Sequence, residues 1–437
     1  MTDRESLLDR FVRYARIDTQ SAEGSTSYPS TAKQRDLLGS LVDDLRAAGL
    51  EDVAMDEWGY VMATVPSNIP ADHPAHGAVP TIGLLAHVDT YFDVPGANVK
   101  PTVHRDYDGG DLALPGDASV VIRAADEPAL GSCRGMTIIT SDGTTLLGAD
   151  DKAGVAEIVE AVWRWKEDPL RLHGPVRVAF TPDEEVGRGT EHFDIGRFAA
   201  DVAYTVDGSG VGEIEDETFS ADSARVTVTG LDVHPGYAKD RMVNAVRVLS
   251  DLLMALPQHR TPEATDRREG YLHPVSITGN VSQAAAQLLV RSFTEDELRQ
   301  LERLLTDAAS WAERKYPGAS VKVEVKRSYR NMREAISRRP EVVEYAEEAV
   351  RRAGYVPRRG SVRGGTDGSR LSERGLLTPN LSSGGMNFHS RKEWVPLEWM
   401  GAAVETILHL AEVWVEKSRD QGSGIGDRGS GIGDQRR

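Results

Sequence analysis

Hydrophobic positions along the chain follow two periods. LLDRFVRYARI sets Leu7, Leu8, Phe11, Val12 and Ala15 at helical spacing, and RDLLGSLVDDLRAAGL repeats the signal, with Gly49 where a helix would stop. VPTIGLLAHVD reads as a buried strand, and KAGVAEIVEAVWRW as a helix that begins just after GADD. GPVRVAFTPDEE is a strand running into an acidic turn, and ADVAYTVDGSG is a strand ending in Asp-Gly. Strands alternating with helices predict an α/β layered fold with a mainly parallel sheet. Each notable polar cluster lies just past the C-terminal end of a strand, where open α/β sheets place their sites.

Near residue 215 the pattern changes. SARVTVTG, MVNAVRVLSDLLMAL, HPVSITG, AAQLLVRSF, EDELRQLERLLTDAASWAERKY and SVKVEVKRSY predict two strand–helix–strand units, a ferredoxin-like α+β module. After about residue 331 the α/β character resumes. The expected organisation is an α/β domain over 1–214 and 331–417 with a module inserted at 215–330. The tail, 418–437, carries GSGIGD twice, offers little apolar surface and is expected to be disordered.

The 437 residues exceed one ordinary core, in keeping with two domains. Hydrophobic residues at 40% and charged ones at 27% are ordinary for a globular protein. A net charge of −17 argues against nucleic acid or an anionic membrane surface as the main partner. The single cysteine, Cys133, excludes an intrachain disulfide framework and a cysteine-based zinc site. MTDRESLLDRFVRYARIDT is charged throughout and does not read as a secretory signal. No run reaches the ~20 apolar residues of a membrane span, and a cytoplasmic protein is expected.

The candidate chemistry is spread over five segments. His87 and Asp89 stand two apart at a strand end, so their side chains share a side. Asp150 and Asp151 precede a helix, Glu184 and Glu185 follow a strand, Asp207 follows another, and His389 lies in a late loop. Each has an ordinary reading: a polar pair, acids favouring a helix dipole, a solvated turn, an exposed histidine. Their shared position at strand ends favours a common site. Two histidines and three carboxylates suit a pair of zinc ions, with one carboxylate able to bridge them. Asp89 then serves as the hydrogen-bond partner that fixes the tautomer of His87. Of the adjacent glutamates, one can be a ligand and the other a general base.

LLAHVDT, TLLGADDKAG, TPDEEVG, VDG, VHPGYAKDRMVNA, VRGGTDGSRL and PNLSSGGMNFH, in that order, resemble the peptidase T family of tripeptide aminopeptidases, within the dizinc aminoacylase/carboxypeptidase superfamily. The resemblance spans roughly residues 5–415. It implies a catalytic domain with an inserted lid that often also dimerises, and two zinc ions per subunit. It implies that Asp150 bridges the metals and that the Asp150–Asp151 peptide bond is cis. His87 and Asp207 would share one zinc, Glu185 and His389 the other, and Glu184 would be the general base. His234 in VHPG matches a lid histidine that stabilises the oxyanion, though alone it reads as a surface histidine before Pro235. Arg363 matches a position suited to a peptide carboxylate, which a guanidinium can bind through two hydrogen bonds. Arg291 and Asn387 complete the substrate-binding candidates.

Two departures stand out. Ser390 occupies a position where the family commonly has glycine, and Arg391 and Lys392 follow. The lid stretch around Arg291 matches loosely. The expected function is removal of the N-terminal residue from small peptides, chiefly tripeptides, in peptide catabolism. Its rivals are another exopeptidase or an N-acyl-amino-acid deacylase on the same scaffold and, more remotely, a non-catalytic metal- or peptide-binding protein. All positions for ligands and base being filled argues against the last.

Overall fold

A computed structural model describes residues 6–423. The chain forms two compact units. The first comprises residues up to Asp216, Ala335–Gly360 and the residues from Arg374 onward; the second comprises Glu217–Glu334 and Ser361–Glu373.

The first unit is built on an eight-stranded mixed sheet. At its centre Val176–Thr181, Ile82–His87, Val202–Ser209 and Asn380–Gly385 lie side by side and parallel, with antiparallel strands toward the edges. Every residue of Ile82–His87 is buried, the pattern of a parallel strand covered on both faces. Helix Ala149–Glu167 packs on these strands, and Gly154 sets how closely. A Cβ at Gly154 would stand 1.8 Å from the Val206 carbonyl oxygen. Gly154→Ala should therefore push helix from strand, costing about 1–3 kcal/mol, the usual range for overpacking. Thermal unfolding should show the loss; an unchanged Tm would mean the contact yields freely.

A small antiparallel sheet of Thr102–His104, Ile138–Thr140 and Trp394–Pro396 stands beside the large one. It anchors the chain just after the loop that carries His389. The helix Leu397–Ser423 then packs on Ala149–Glu167, and Arg171 ties it down through Glu405 at 2.9 Å and Glu412 at 2.8 Å. This helix runs past the boundary expected after Lys417, to Ser423. The remainder of the expected tail lies outside the described residues.

The second unit is a four-stranded antiparallel sheet whose spatial order is Tyr271–Gly279, Gln283–Ser292, Ser220–Thr229, Ser320–Tyr329. With its two helices this is the ferredoxin-like arrangement the patterning predicts. Alternate residues of Gln283–Ser292 are buried, as a half-covered strand requires. Val226, Val228, Val248, Leu252, Leu298 and Leu305 fill the layer between sheet and helices. Asn244 caps helix Ala245–Ala255 and Thr294 caps Glu295–Lys315, each side chain accepting from backbone N–H groups of the first turn.

The segment Ser361–Glu373, expected with the second part of the α/β domain, belongs to this unit instead. Local bonds account for it. Phe219 N–H donates to the Val362 carbonyl at 3.1 Å, and Arg363 donates to oxygens of Thr265, Arg267 and Glu269. Among the described residues, no helix is long and apolar enough to cross a membrane.

Candidate metal centre

The site lies in the first unit, at the C-terminal ends of the parallel strands. Ile82–His87 delivers His87, Val202–Ser209 delivers Asp207, and the turn after Val176–Thr181 delivers Glu184 and Glu185. Asp150 and Asp151 open helix Ala149–Glu167, joined by a cis peptide bond. His389 sits in the loop closed by reciprocal backbone hydrogen bonds between Met386 and Trp394.

Five candidate ligands converge. Nε2 of His87 is 2.9 Å from Asp150 Oδ1 and 3.5 Å from Asp207 Oδ1. Nε2 of His389 is 3.1 Å from Asp150 Oδ2 and 2.9 Å from Glu185 Oε2. The two oxygens of Asp150 thus face two different histidines. Ligand atoms of His87, Asp150 and Glu185, and likewise of His87, Asp151 and Asp207, lie within 4.8 Å of one another.

Asp151 has other work. Its Oδ2 accepts from the backbone N–H of His87 at 3.2 Å, and its Oδ1 from that of Gly154 at 3.2 Å. Asp89 acts on both halves of the site. Its main-chain carbonyl and its carboxylate face His87 Nδ1 at 3.0 and 3.3 Å. The same carboxylate accepts from the backbone N–H groups of Glu184 at 3.0 Å and Glu185 at 3.1 Å. One aspartate therefore orients a histidine and fixes the turn that bears both glutamates.

The electrostatics call for positive charge. Burial, reinforced by Asp150, raises the carboxyl of Glu185 to about 8; burial, despite the opposing charge of His87, takes that of Asp207 to about 6. Burial would also raise Asp150, but the hydrogen bonds from His389 and His87 outweigh it and hold it below the usual carboxylate range. Burial works against a charged His389, yet Asp150 and Glu185 lift it to about 11. Protons on the histidines here balance the carboxylates, a role divalent cations fill better. Oε1 of Glu185 is buried without a hydrogen-bond partner, and a buried carboxylate oxygen left so is costly unless an ion takes it up. The residues therefore fit two divalent cations.

Three further residues support the centre without any local sequence signal. Glu393, 1% exposed, accepts from the backbone N–H groups of Leu147, Gly148 and Asp150 at 2.8, 2.7 and 2.9 Å. It clamps the turn that presents Asp150. Asp183 accepts from Ser30 N–H at 2.6 Å and from Gln34 Nε2 at 2.7 Å, and so pins the start of the glutamate turn. Asn380 accepts from Asp207 N–H at 3.1 Å while donating to Glu215 at 2.6 Å.

The remaining candidates lie elsewhere or are engaged. Asn387 donates its amide to Glu127 at 3.0 Å and to the Lys392 carbonyl at 3.4 Å, which closes the His389 loop. Ser390 donates to the Asn387 carbonyl at 2.7 Å and accepts from Lys392 N–H at 3.1 Å, so the serine supplies bonds to the loop that a glycine there would lack. His234, Arg291 and Arg363 belong to the second unit. His234 is exposed, and its Nδ1 accepts from Gly236 N–H at 3.1 Å. Arg291 donates to the carbonyls of Asp222 and Val290, each at 3.0 Å. Arg363 bonds the Arg267 carbonyl at 2.8 Å and Thr265 Oγ1 at 2.9 Å, and its guanidinium covers the rings of Phe219 and Tyr271.

Residues 143–413 match the model of peptidase family M20/M25/M40, so the chain belongs to that family of hydrolases. Within the family it is similar to peptidase T. It is 44% identical to Peptidase T of Clostridium acetobutylicum over 413 residues, 94% of this chain and 100% of the relative. It is 46% identical to Peptidase T of Listeria innocua over 417 residues, 95% of this chain and 100% of the relative. Among solved structures, aminopeptidase PepT from Bacillus cereus superposes with a TM-score of 0.72 at 23% identity, covering 93% of this chain and 98% of that one. That likeness shows a shared fold.

Proposed function

We propose that the protein is a dizinc aminopeptidase that removes the N-terminal residue of tripeptides. The observation that carries the reading is the Asp150 carboxylate, one oxygen toward His87 and the other toward His389. Its similarity to Peptidase T over nearly the whole chain supports the substrate class. His87 and Asp207 would hold one zinc, Glu185 and His389 the other, and Asp150 would serve both. When bound, the ions supply Lewis acidity, which activates water at neutral pH and polarises the peptide carbonyl.

The chain's own residues do the rest. Asp89 keeps His87 oriented and steadies the glutamate turn. Glu184 takes a proton from the attacking water and delivers it to the leaving amine, so that water adds across the peptide bond. His234 stabilises the oxyanion formed on the carbonyl. A cytoplasmic setting belongs to the same proposal; the free, buried thiol of Cys133 is compatible with a reducing compartment. Val275 and Ile277, 49% and 59% exposed on an edge strand of the second unit, support association of two copies there.

A panel of tripeptides, N-acyl amino acids and C-terminally blocked peptides tests the reading. Free tripeptides should be cleaved at the first bond, N-acyl amino acids poorly. Preferred turnover of N-acyl amino acids would replace the proposal with a deacylase. Arg363 is the proposed partner of the substrate's C-terminal carboxylate, in exchange for one of its present carbonyl contacts. Arg363→Ala should then lower kcat/KM sharply for free tripeptides and much less for their C-terminal amides, which lack the charge to be bound. Equal losses on both would assign Arg363 to holding the 265–269 segment alone.

A further inference from the structure

The two histidines of the centre are held by different means. His87 is 2% exposed and presents Nδ1 to the main-chain carbonyl and carboxylate of Asp89. The His389 side chain is 43% exposed and stands on a left-handed backbone at φ 57°. Its polar contacts, to Asp150 and Glu185, are both made by Nε2. A ligating imidazole ordinarily has its ring orientation set by a hydrogen bond at the second nitrogen. For His389 the orienting contact is a ring instead. Tyr91 lies flat against it, centroids 4.0 Å apart and planes 2° from parallel.

Tyr91 is itself well anchored. Gln20 Nε2 donates to the carbonyls of Tyr91, Phe92 and Val94 at 3.1, 3.0 and 2.7 Å, which fixes the backbone after Asp89. The Tyr91 hydroxyl donates to Asp93 at 3.3 Å, and its ring leans on Phe92 at 4.7 Å. The contact with His389 uses the ring face, not the hydroxyl.

We propose that Tyr91 is the positioning residue for His389. Its face sets the imidazole plane so that Nε2 points at Asp150 Oδ2 and Glu185 Oε2, and it thereby sets how tightly the cation on that side is held. The inference rests on the two-cation reading above. His87, fixed by Asp89, does not depend on Tyr91, so the two cation positions should respond differently to its loss.

Metal-free wild type, Tyr91→Phe and Tyr91→Ala are titrated with zinc by calorimetry in competition with a chelator, with thermal unfolding of each metal-free protein alongside. Wild type and Tyr91→Phe should bind two cations alike. Tyr91→Ala should keep one affinity unchanged and weaken the other by about 10–100-fold, the range for removing a group that orients a ligand, with metal-free unfolding unmoved. Binding of both cations by Tyr91→Ala as in wild type overturns the proposal. So does an equal weakening of both, or a Tyr91→Phe that fails with Tyr91→Ala. A wild type that binds fewer than two cations overturns the two-cation reading itself, before any variant is compared.

Discussion

Glu184→Gln should lower kcat by about 10²–10⁴-fold, the range that general-base catalysis contributes, while both cations stay bound. Glutamine keeps the shape of the side chain but has no lone pair basic enough to take a proton from water. The neighbouring backbone should be undisturbed, because the turn is held through the N–H groups of Glu184 and Glu185 on Asp89 and through Asp183 on Ser30 and Gln34, none of which uses the Glu184 carboxylate. Metal analysis and steady-state kinetics on the same preparation separate the possibilities. Activity close to wild type with a full metal complement would remove Glu184 from the reaction. Lost activity together with lost metal would make it a ligand instead.

Removing divalent cations with a chelator should abolish activity, and zinc should restore it, with cobalt or manganese as candidate substitutes. The cluster holds Asp150, Glu185 and Asp207 against two histidines, with Glu185 Oε1 buried and without a partner. The gathered carboxylates favour protons on the imidazoles, whereas a metal ligand needs a neutral ring nitrogen, so cations and protons compete for the same atoms. A chelator-treated protein that contains no metal and still cleaves tripeptides would sink the dizinc proposal.

Much of this was legible in the residues. The buried strand ending in His87 and the strand whose apolar run stops at Asp207 were readable because apolar runs stop at polar residues where parallel sheets put their sites. The ferredoxin-like unit was readable because period-two strands and helical stretches of period 3.6 alternate cleanly between 220 and 329. Glu393 was not, because its role depends on where the strand Trp394–Pro396 registers against Ile138–Thr140, and a lone glutamate after Arg391 and Lys392 looks like one more surface charge. For Arg363 and Asn387 the motifs mark a position, whereas their partners within the fold, loop carbonyls for one and Glu127 for the other, could not be read from the residues. The place of Ser361–Glu373 was hidden for the same reason: its bonds to Phe219 and to residues 265–269 cross more than ninety positions of sequence.

The clamp of Glu393 on the Asp150 turn has a consequence for how the protein comes to be active. His389 and Glu393 leave the ribosome long after His87, Asp150, Glu185 and Asp207. Until they arrive, the earlier ligands have neither their last partner nor the carboxylate that fixes the Asp150 turn. Parallel strands so distant in sequence also pair slowly, since long loops must close first. Completion of the proposed centre therefore waits on the last part of the chain: the Asp150 turn is clamped, and His389 brought to its place, only once residues 389–396 have folded onto the earlier ones.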